Sequence, residues 1–192
     1  MNIVFDIGNV LIRWDAALAF PDHDAEAFLA RIDFPALNLR GDGGESFADL
    51  AQEIADPDDR ALFLTYLANY ARTIAQPIEG TWALMDRLRA RGHAIHAITN
   101  WSAETWPTGV ATHPRLATSF ATTIVSGEEG VVKPAPAIFA ALCARAGVAP
   151  DTCVFIDDSA ANAAGARAFG MDAIHFTTPE ALEAALIERG LL

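Results

Sequence analysis

The sequence predicts an α/β fold, a doubly wound parallel sheet with a small block of helices inserted after the first strand. Three observations predict it. Five short apolar runs rich in β-branched residues recur along the chain, and helical patterns with their own stop signals lie between them. The stretch from 15 to 78 breaks that alternation with helical patterns alone. With 192 residues, 52% of them hydrophobic, the chain is long and apolar enough to bury a core as one domain carrying an insertion.

NIVF at 2 to 5 is the first run, continuous rather than alternating, as expected of a strand covered on both faces. The next helical stretches are DHDAEAFLARI, SFADLAQEIA and DDRALFLTYLANYARTI, with a polar, glycine-rich loop LRGDGGES (39 to 46) between the first and the second. Residues 15–78 are therefore read as a small inserted α-helical cap, and 1–14 with 79–192 as the α/β core. EGTWALMDRLRARG then forms a helix with a basic last turn and Gly92 as its stop, leading into the strand HAIHAI at 93 to 98. TTIV at 122 to 125 is the third strand and PAPAIFAALCARAG a helix ending at Gly147. TCVFI at 152 to 156 is followed by SAANAAGARAFG, which ends at Gly170. DAIHF at 172 to 176 closes the sheet, and Thr178 with Pro179 opens the last helix as cap and first-turn proline.

The formal net charge of −12 leaves no broad basic face, which argues against nucleic acid and anionic membrane as partners. No apolar run reaches the roughly 18 residues needed to span a bilayer, and Asp6 sits inside the N-terminal apolar stretch, which reads as a strand rather than a secretory leader. Cys143 and Cys153 form no CxxC pair. A cytoplasmic protein with two reduced, buried thiols is the expectation.

The chemically versatile residues fall at strand ends. Asp6 follows NIVF, Thr99 and Asn100 follow HAIHAI, Lys133 follows TTIV after the loop SGEEGVV, and Asp157 and Asp158 follow TCVFI. In parallel sheets these ends share one edge, where ligands bind. Carboxylates brought within about 4 to 5 Å repel by about 1 kcal/mol per pair in water and about 4 at an effective dielectric near 20, so the cluster needs cations. Lys133 is the only lysine in the chain, the remaining Lys+Arg residues of the 13 all being arginine. A compact ammonium with three rotatable donors suits a place between oxyanions in a way a planar guanidinium does not. Oxygen-only ligands beside a phosphate favour Mg²⁺ as the second cation.

Other candidates read as structural. His93 and His96 point to opposite faces of a strand and do not share a metal, and His23, His113 and His175 lack partners at ligand spacing. Asp15 reads as a helix start. Trp14 and Trp101 follow motif segments and are read either as core packing or as walls of a pocket.

The order FDIGNVL, then Thr99-Asn100, then Lys133-Pro134, then DDSAAN (157 to 162) resembles the haloacid dehalogenase-like (HAD) hydrolase superfamily over nearly the whole chain, with the helical insertion where that superfamily places a C1 cap. The opening FDxGNVL is most similar to its glucose-1-phosphate phosphatase-like sugar phosphatases. The resemblance implies a Rossmann-like core and an Asp6 nucleophile that forms an aspartyl-phosphate hydrolysed in a second step. It also implies Mg²⁺ held by Asp6, the Gly8 carbonyl and Asp158, with Asp157 as a second or outer ligand and Asn162 supporting the site. Thr99, the Asn100 region and Lys133 would hold phosphate oxygens.

One position departs from the pattern. Most phosphatases of the superfamily carry a second Asp two residues after the nucleophile as acid and base, a group worth about 10² to 10⁴ in rate, and this chain has Gly8 there. The reading is therefore a Mg²⁺-dependent phosphatase of a small phosphorylated metabolite. The alternatives are a metal-free 2-haloacid dehalogenase, whose halide leaving group needs no proton, and a non-catalytic pseudo-phosphatase that binds a phosphorylated ligand.

Overall fold

The computed structural model describes all 192 residues. Five strands, β1 (Asn2–Phe5), β2 (Ala94–Thr99), β3 (Thr122–Val125), β4 (Cys153–Asp157) and β5 (Asp172–His175), form one all-parallel sheet in the order β3-β2-β1-β4-β5. The five runs read from the sequence are these strands, with boundaries shifted by a residue at most. His93 falls just outside β2, its Nε2 against Leu191 O at 3.2 Å, while His96 is buried in the strand.

Strand alternation divides the core into two layers. Ile3, Phe5, Ile95, Ala97, Val154 and Ile156 face one side, where they meet Trp82, Met85 and Leu88 of α5 (Glu79–Ala90) and Leu182 and Leu186 of α10 (Pro179–Glu188). Val4, Ile98, Ile124 and Phe155 face the other, against Ile138, Phe139 and Leu142 of α8 (Pro136–Ala146) and Ala163 and Ala166 of α9 (Ala160–Phe169). Period-two side chains on strands covered on both faces produce this doubly wound arrangement.

Between β1 and β2 the chain is helical: α1 (Ala25–Arg31), α2 (Phe34–Asp42), α3 (Phe47–Ala51) and α4 (Pro57–Thr73). Aspartates at 24 and 56 and Ser46 cap α1, α4 and α3 through their side chains. Phe28, Phe34, Phe47, Phe63, Tyr66 and Tyr70 pack among themselves and continue into the α5 layer as one apolar cluster, so the inserted helices share the core of the sheet.

The expected loop at 39 to 46 is corrected here, because its first half, through Asp42, is the end of α2. Gly41 looks like a loop signal in the sequence but serves packing: a side chain there would stand 3.1 Å from the Phe47 ring. The stretch read as a helix at 46 to 55 ends at Ala51. Besides α2, two short helices were not anticipated, α6 (Trp106–Thr112) and the single turn α7 (Ser126–Glu129). No helix is long and apolar enough to cross a membrane.

Candidate active site

Strand register dictates where the acids meet. Phe5 pairs with Ala97 on one side and Ile156 on the other, and the Asp6 amide donates to Ile156 O at 2.8 Å. Asp6 is thus the first residue beyond β1, level with the last residue of β4, which is Asp157. The chain runs outward from β1 through β2 to β3 and then crosses back to β4 on the other side of β1, so the strand order reverses here and a crevice opens at this point of the sheet edge.

Lys133 enters from the loop between α7 and α8. Its Nζ lies 2.8 Å from Asp6 Oδ1 and 2.7 Å from Asp157 Oδ2, and donates to Ile98 O at 3.1 Å. Three N–H groups meet three acceptors, which is the arrangement a lysine satisfies and a planar guanidinium does not. The side chain is 1% exposed. Burial alone would lower its pKa, but the charges of Asp6 and Asp157 outweigh that and hold the ammonium above the ordinary lysine range.

Two further contacts fix Lys133. Asn100 brackets its peptide, Oδ1 accepting from Lys133 N at 2.8 Å and Nδ2 donating to Lys133 O at 3.2 Å. Behind it Pro134 packs so closely on α9 that a side chain at Gly165 would come within 2.6 Å of the proline Cβ. The Asn100 side chain, expected near phosphate, is in this structure engaged with the lysine backbone.

The three acids differ in surroundings. Asp6 Oδ1 also accepts from Ile7 N at 2.7 Å; burial pushes its carboxyl up to about 7, Asp157 adds to the rise and Lys133 opposes it. Asp157 is fully buried and fully hydrogen-bonded: Oδ1 accepts from Ser159 N at 2.8 Å and Asn162 Nδ2 at 3.1 Å, and Oδ2 from Lys133 and, at 3.2 Å, Asn162 Nδ2. Asp158 is exposed at the mouth, its carboxyl raised by partial burial and by Asp157. One oxygen from each of Asp6, Asp157 and Asp158 falls within 4.8 Å of the others.

After Asp6 the chain turns tightly, with the amides of Leu11 and Ile12 donating to Ile7 O and Asn9 taking φ 54°. This turn presents Gly8 to the cleft, and a Cβ built there would meet nothing within 4 Å. Thr99 ends β2, buried, its Oγ1 without a hydrogen-bond partner, and does not line the cleft.

The cleft over these groups has a volume of about 180 Å³. Asp6, Gly8, Asn100, Lys133, Asp158 and Asn162 form its floor, and the residues of the resemblance other than Thr99 and Asp157 therefore line one space. Its walls are Ile12, Trp14, Tyr70, Ile74, Trp101 and Thr105. Both tryptophans line the pocket, and Trp101 is also packed edge-on against Tyr70 and Trp106 with centroids at 5.8 and 5.3 Å.

Sequence reading missed Asn9, Asn38, Asp42 and Tyr70 among the lining residues. Asn38 and Asp42 are four apart on α2 and so share a face, a signal that was hidden while Asp42 was assigned to a loop. Asp15 is a cap, as read: its Oδ1 accepts from Ala17 N at 3.0 Å.

Comparison with known proteins gives the family and the fold. Residues 1–170 match the hydrolase family described as haloacid dehalogenase-like hydrolase. A flavin mononucleotide hydrolase of Arabidopsis thaliana is 28% identical over 134 residues, 70% of this chain; the match spans about half of that relative's length, 54%. Among solved structures, a HAD family enzyme from Bacteroides thetaiotaomicron in complex with magnesium and inorganic phosphate superposes with a TM-score of 0.71 at 21% identity, covering 92% of this chain and 94% of that one. A HAD-like family hydrolase from Porphyromonas gingivalis gives 0.74 at 21% identity, covering 98% and 96%. L-2-haloacid dehalogenase from Xanthobacter autotrophicus gives 0.66 at 20% identity, covering 100% and 84%. At these identities the structures establish the shared fold.

Proposed function

The chain belongs to the haloacid dehalogenase-like hydrolases and is an enzyme, and from that premise we propose that it is a Mg²⁺-dependent phosphatase of a small phosphorylated metabolite. The observation that carries the reading is the convergence of three carboxylates within 4.8 Å of one another on a single buried ammonium. The crystallised relative with magnesium and inorganic phosphate and the flavin mononucleotide hydrolase support the same chemistry.

The residues fit a divalent cation. The donor set is oxygen only, and one Lys⁺ leaves the acidic cluster with excess negative charge. Asp6, Asp158 and the Gly8 carbonyl would hold the ion, while Asp157 and Asn162, bonded to each other, stand behind them. A bound Mg²⁺ supplies neutralising charge to the acids and to the phosphoryl oxygens.

The chain's own groups do the rest. Asp6, an anion when ionised and fixed at Oδ1 by Lys133 and the Ile7 amide, attacks phosphorus with its second oxygen and is later released by water. Lys133 stabilises the charge spread over the transferring group. Thr99, buried at the end of β2 and outside the cleft lining, takes no part in holding phosphate in this reading. Asp157 and Asn100 position the lysine. Residues 15–78 act as the cap, excluding water through Tyr70 and the α2 residues that line the cleft, with Trp14 of the core segment beside them.

The dehalogenase chemistry is favoured by one feature, Gly8, since halide leaves without a proton. Asp158 beside Asp6 weighs against it, because a second acid facing the nucleophile has a purpose only with a cation present.

A phosphate-release panel of sugar and other small phosphate esters, with and without Mg²⁺ and beside Asp6→Asn, tests the proposal. Metal-dependent release abolished by Asp6→Asn is the expected result. Release that persists in Asp6→Asn, or metal-free chloride release from a 2-haloacid, would overturn it.

A further inference from the structure

Gly8 leaves open which group protonates the leaving oxygen and activates water. We propose that Asp42, carried into the cleft by the C-terminal turn of α2, is the general acid and base of this enzyme, a role that rests on the phosphatase reading above.

The carboxyls lining the cleft are Asp6, Asp42 and Asp158. Asp6 is the nucleophile and Asp158 faces it as a metal ligand, which leaves Asp42 alone without a task. Asp15 lies outside this cleft and is engaged as a cap.

Asp42 is also held like a working group. Asn38 Nδ2, one helical turn earlier, donates to its Oδ2 at 3.0 Å, and the Ser102 backbone N–H donates to the carboxylate. Its own carbonyl accepts from Ser126 Oγ at 2.5 Å, and Ser126 Oγ accepts from Trp101 N at 2.9 Å. The residue is thereby tied to the ends of β2 and β3, although it belongs to the helical insertion. Phe47 N donating to Glu104 at 2.7 Å anchors the same segment from the other side.

Burial pushes the Asp42 carboxyl up to about 7, against the Ser102 hydrogen bond, the Lys133 charge and Asn38. A carboxyl poised there gives and takes a proton at neutral pH. The groups facing it are Lys133 from the loop before α8, Tyr66 and Tyr70 of α4, and Asp6 and Asp158 across the cleft. Burial raises both tyrosines above the ordinary phenol range, so they stay neutral and leave Asp42 as the exchanging group on the cap side.

The two steps balance. As Asp6 forms its O–P bond, the ester P–O bond breaks and the departing alkoxide takes the Asp42 proton. The Asp42 carboxylate then takes a proton from water as that oxygen bonds to phosphorus and the Asp6 O–P bond breaks, returning both acids to their starting states with phosphate released.

The test compares the alkyl phosphate turned over fastest by the wild type with 4-nitrophenyl phosphate, whose phenolate leaves unassisted, using the full chain with Mg²⁺. Asp42→Asn is expected to lower kcat on the alkyl ester by about 10²- to 10⁴-fold, to retain a stoichiometric burst of nitrophenolate, and to lose an ionisation near neutral pH from kcat/KM. Asn38→Ala, with one donor to the carboxylate removed, should move that ionisation upward. The position after Ile7 has room for a side chain, so adding Gly8→Asp to Asp42→Asn should recover at least tenfold. Alkyl-ester turnover within tenfold of wild type overturns the proposal. So does an equal loss on both esters with an unchanged pH profile, or a raised KM with kcat retained, which would make Asp42 a substrate-binding residue. Failure of the parent reading looks different: wild type would form no phosphoenzyme on Asp6, whatever residue occupies position 42.

Discussion

Replacing Lys133 with methionine removes the one buried cation from between two buried carboxylates. With the acid oxygens no more than 4.8 Å apart, an unscreened pair repels by about 3.5 kcal/mol at an effective dielectric near 20. Leaving a buried charge without its partner costs about 3 to 5 kcal/mol, and for a chain of this length each kcal/mol lowers Tm by about 2 to 4 °C. Lys133→Met should therefore melt about 6 to 20 °C lower at pH 8 in EDTA.

The deficit must depend on pH. The folded Asp6 carboxyl already stands at about 7 against an ordinary value of 3.8. A raised folded value contributes stability at low pH that is lost as pH rises through it. Without Lys133 the value moves higher still, so the variant recovers by taking up a proton at pH 5 and suffers most at pH 8. Thermal melts followed by circular dichroism at both pH values, with Arg189→Met as a control that breaks the partly exposed pair with Asp172 and one hydrogen bond to Ala185 O, give the comparison. The control should shift stability by less than about 1 kcal/mol. Lys133→Arg should recover little, because a guanidinium overfills a site with three acceptors around one point. A Lys133→Met protein that melts like wild type at pH 8, or loses the same amount at pH 5, would refute the charge-clamp reasoning.

Further outcomes follow from the same geometry. Gly165→Ala drives a methyl against Pro134 and should destabilise by about 1 to 3 kcal/mol while lowering phosphatase turnover, measured by melting and phosphate release. Asn100→Ala leaves the Lys133 peptide unpaired, at about 1 to 3 kcal/mol, and should weaken activity without changing Mg²⁺ affinity by titration calorimetry. Because burial raises the folded Asp42 carboxyl to about 7, Asp42→Asn should melt higher relative to wild type at pH 8 than at pH 5. Mg²⁺ should raise the wild-type Tm, by about 2.7 kcal/mol of added stability at 100 times Kd, and the rise should vanish in Asp158→Asn.

Much of the core could be read without coordinates, because its signals are local. A strand buried on both faces must be continuously apolar, so NIVF, TTIV and TCVFI announce themselves, and an acid at the end of such a run stands out against it. Strand ends of a parallel sheet share an edge, so Asp6, Lys133, Asp157 and Asp158 could be assigned to a common crevice from order alone. The lone lysine among arginines marked where a compact cation is required.

The roles within the crevice depended on contacts between residues far apart in sequence. Asn100 holds the Lys133 peptide, and Asp157 is saturated by Ser159, Asn162 and Lys133, neither of which any local pattern reveals. Gly41 reads as a loop breaker until the Phe47 ring is found against it, and so α2 and the acid it carries were hidden. What the sequence determined by itself is the sheet and the acids at its edge, since burial and strand period act along the chain. Which acid meets which donor, and that Asp42 reaches the same cleft, was decided by packing of the inserted helices, a property of distance in space.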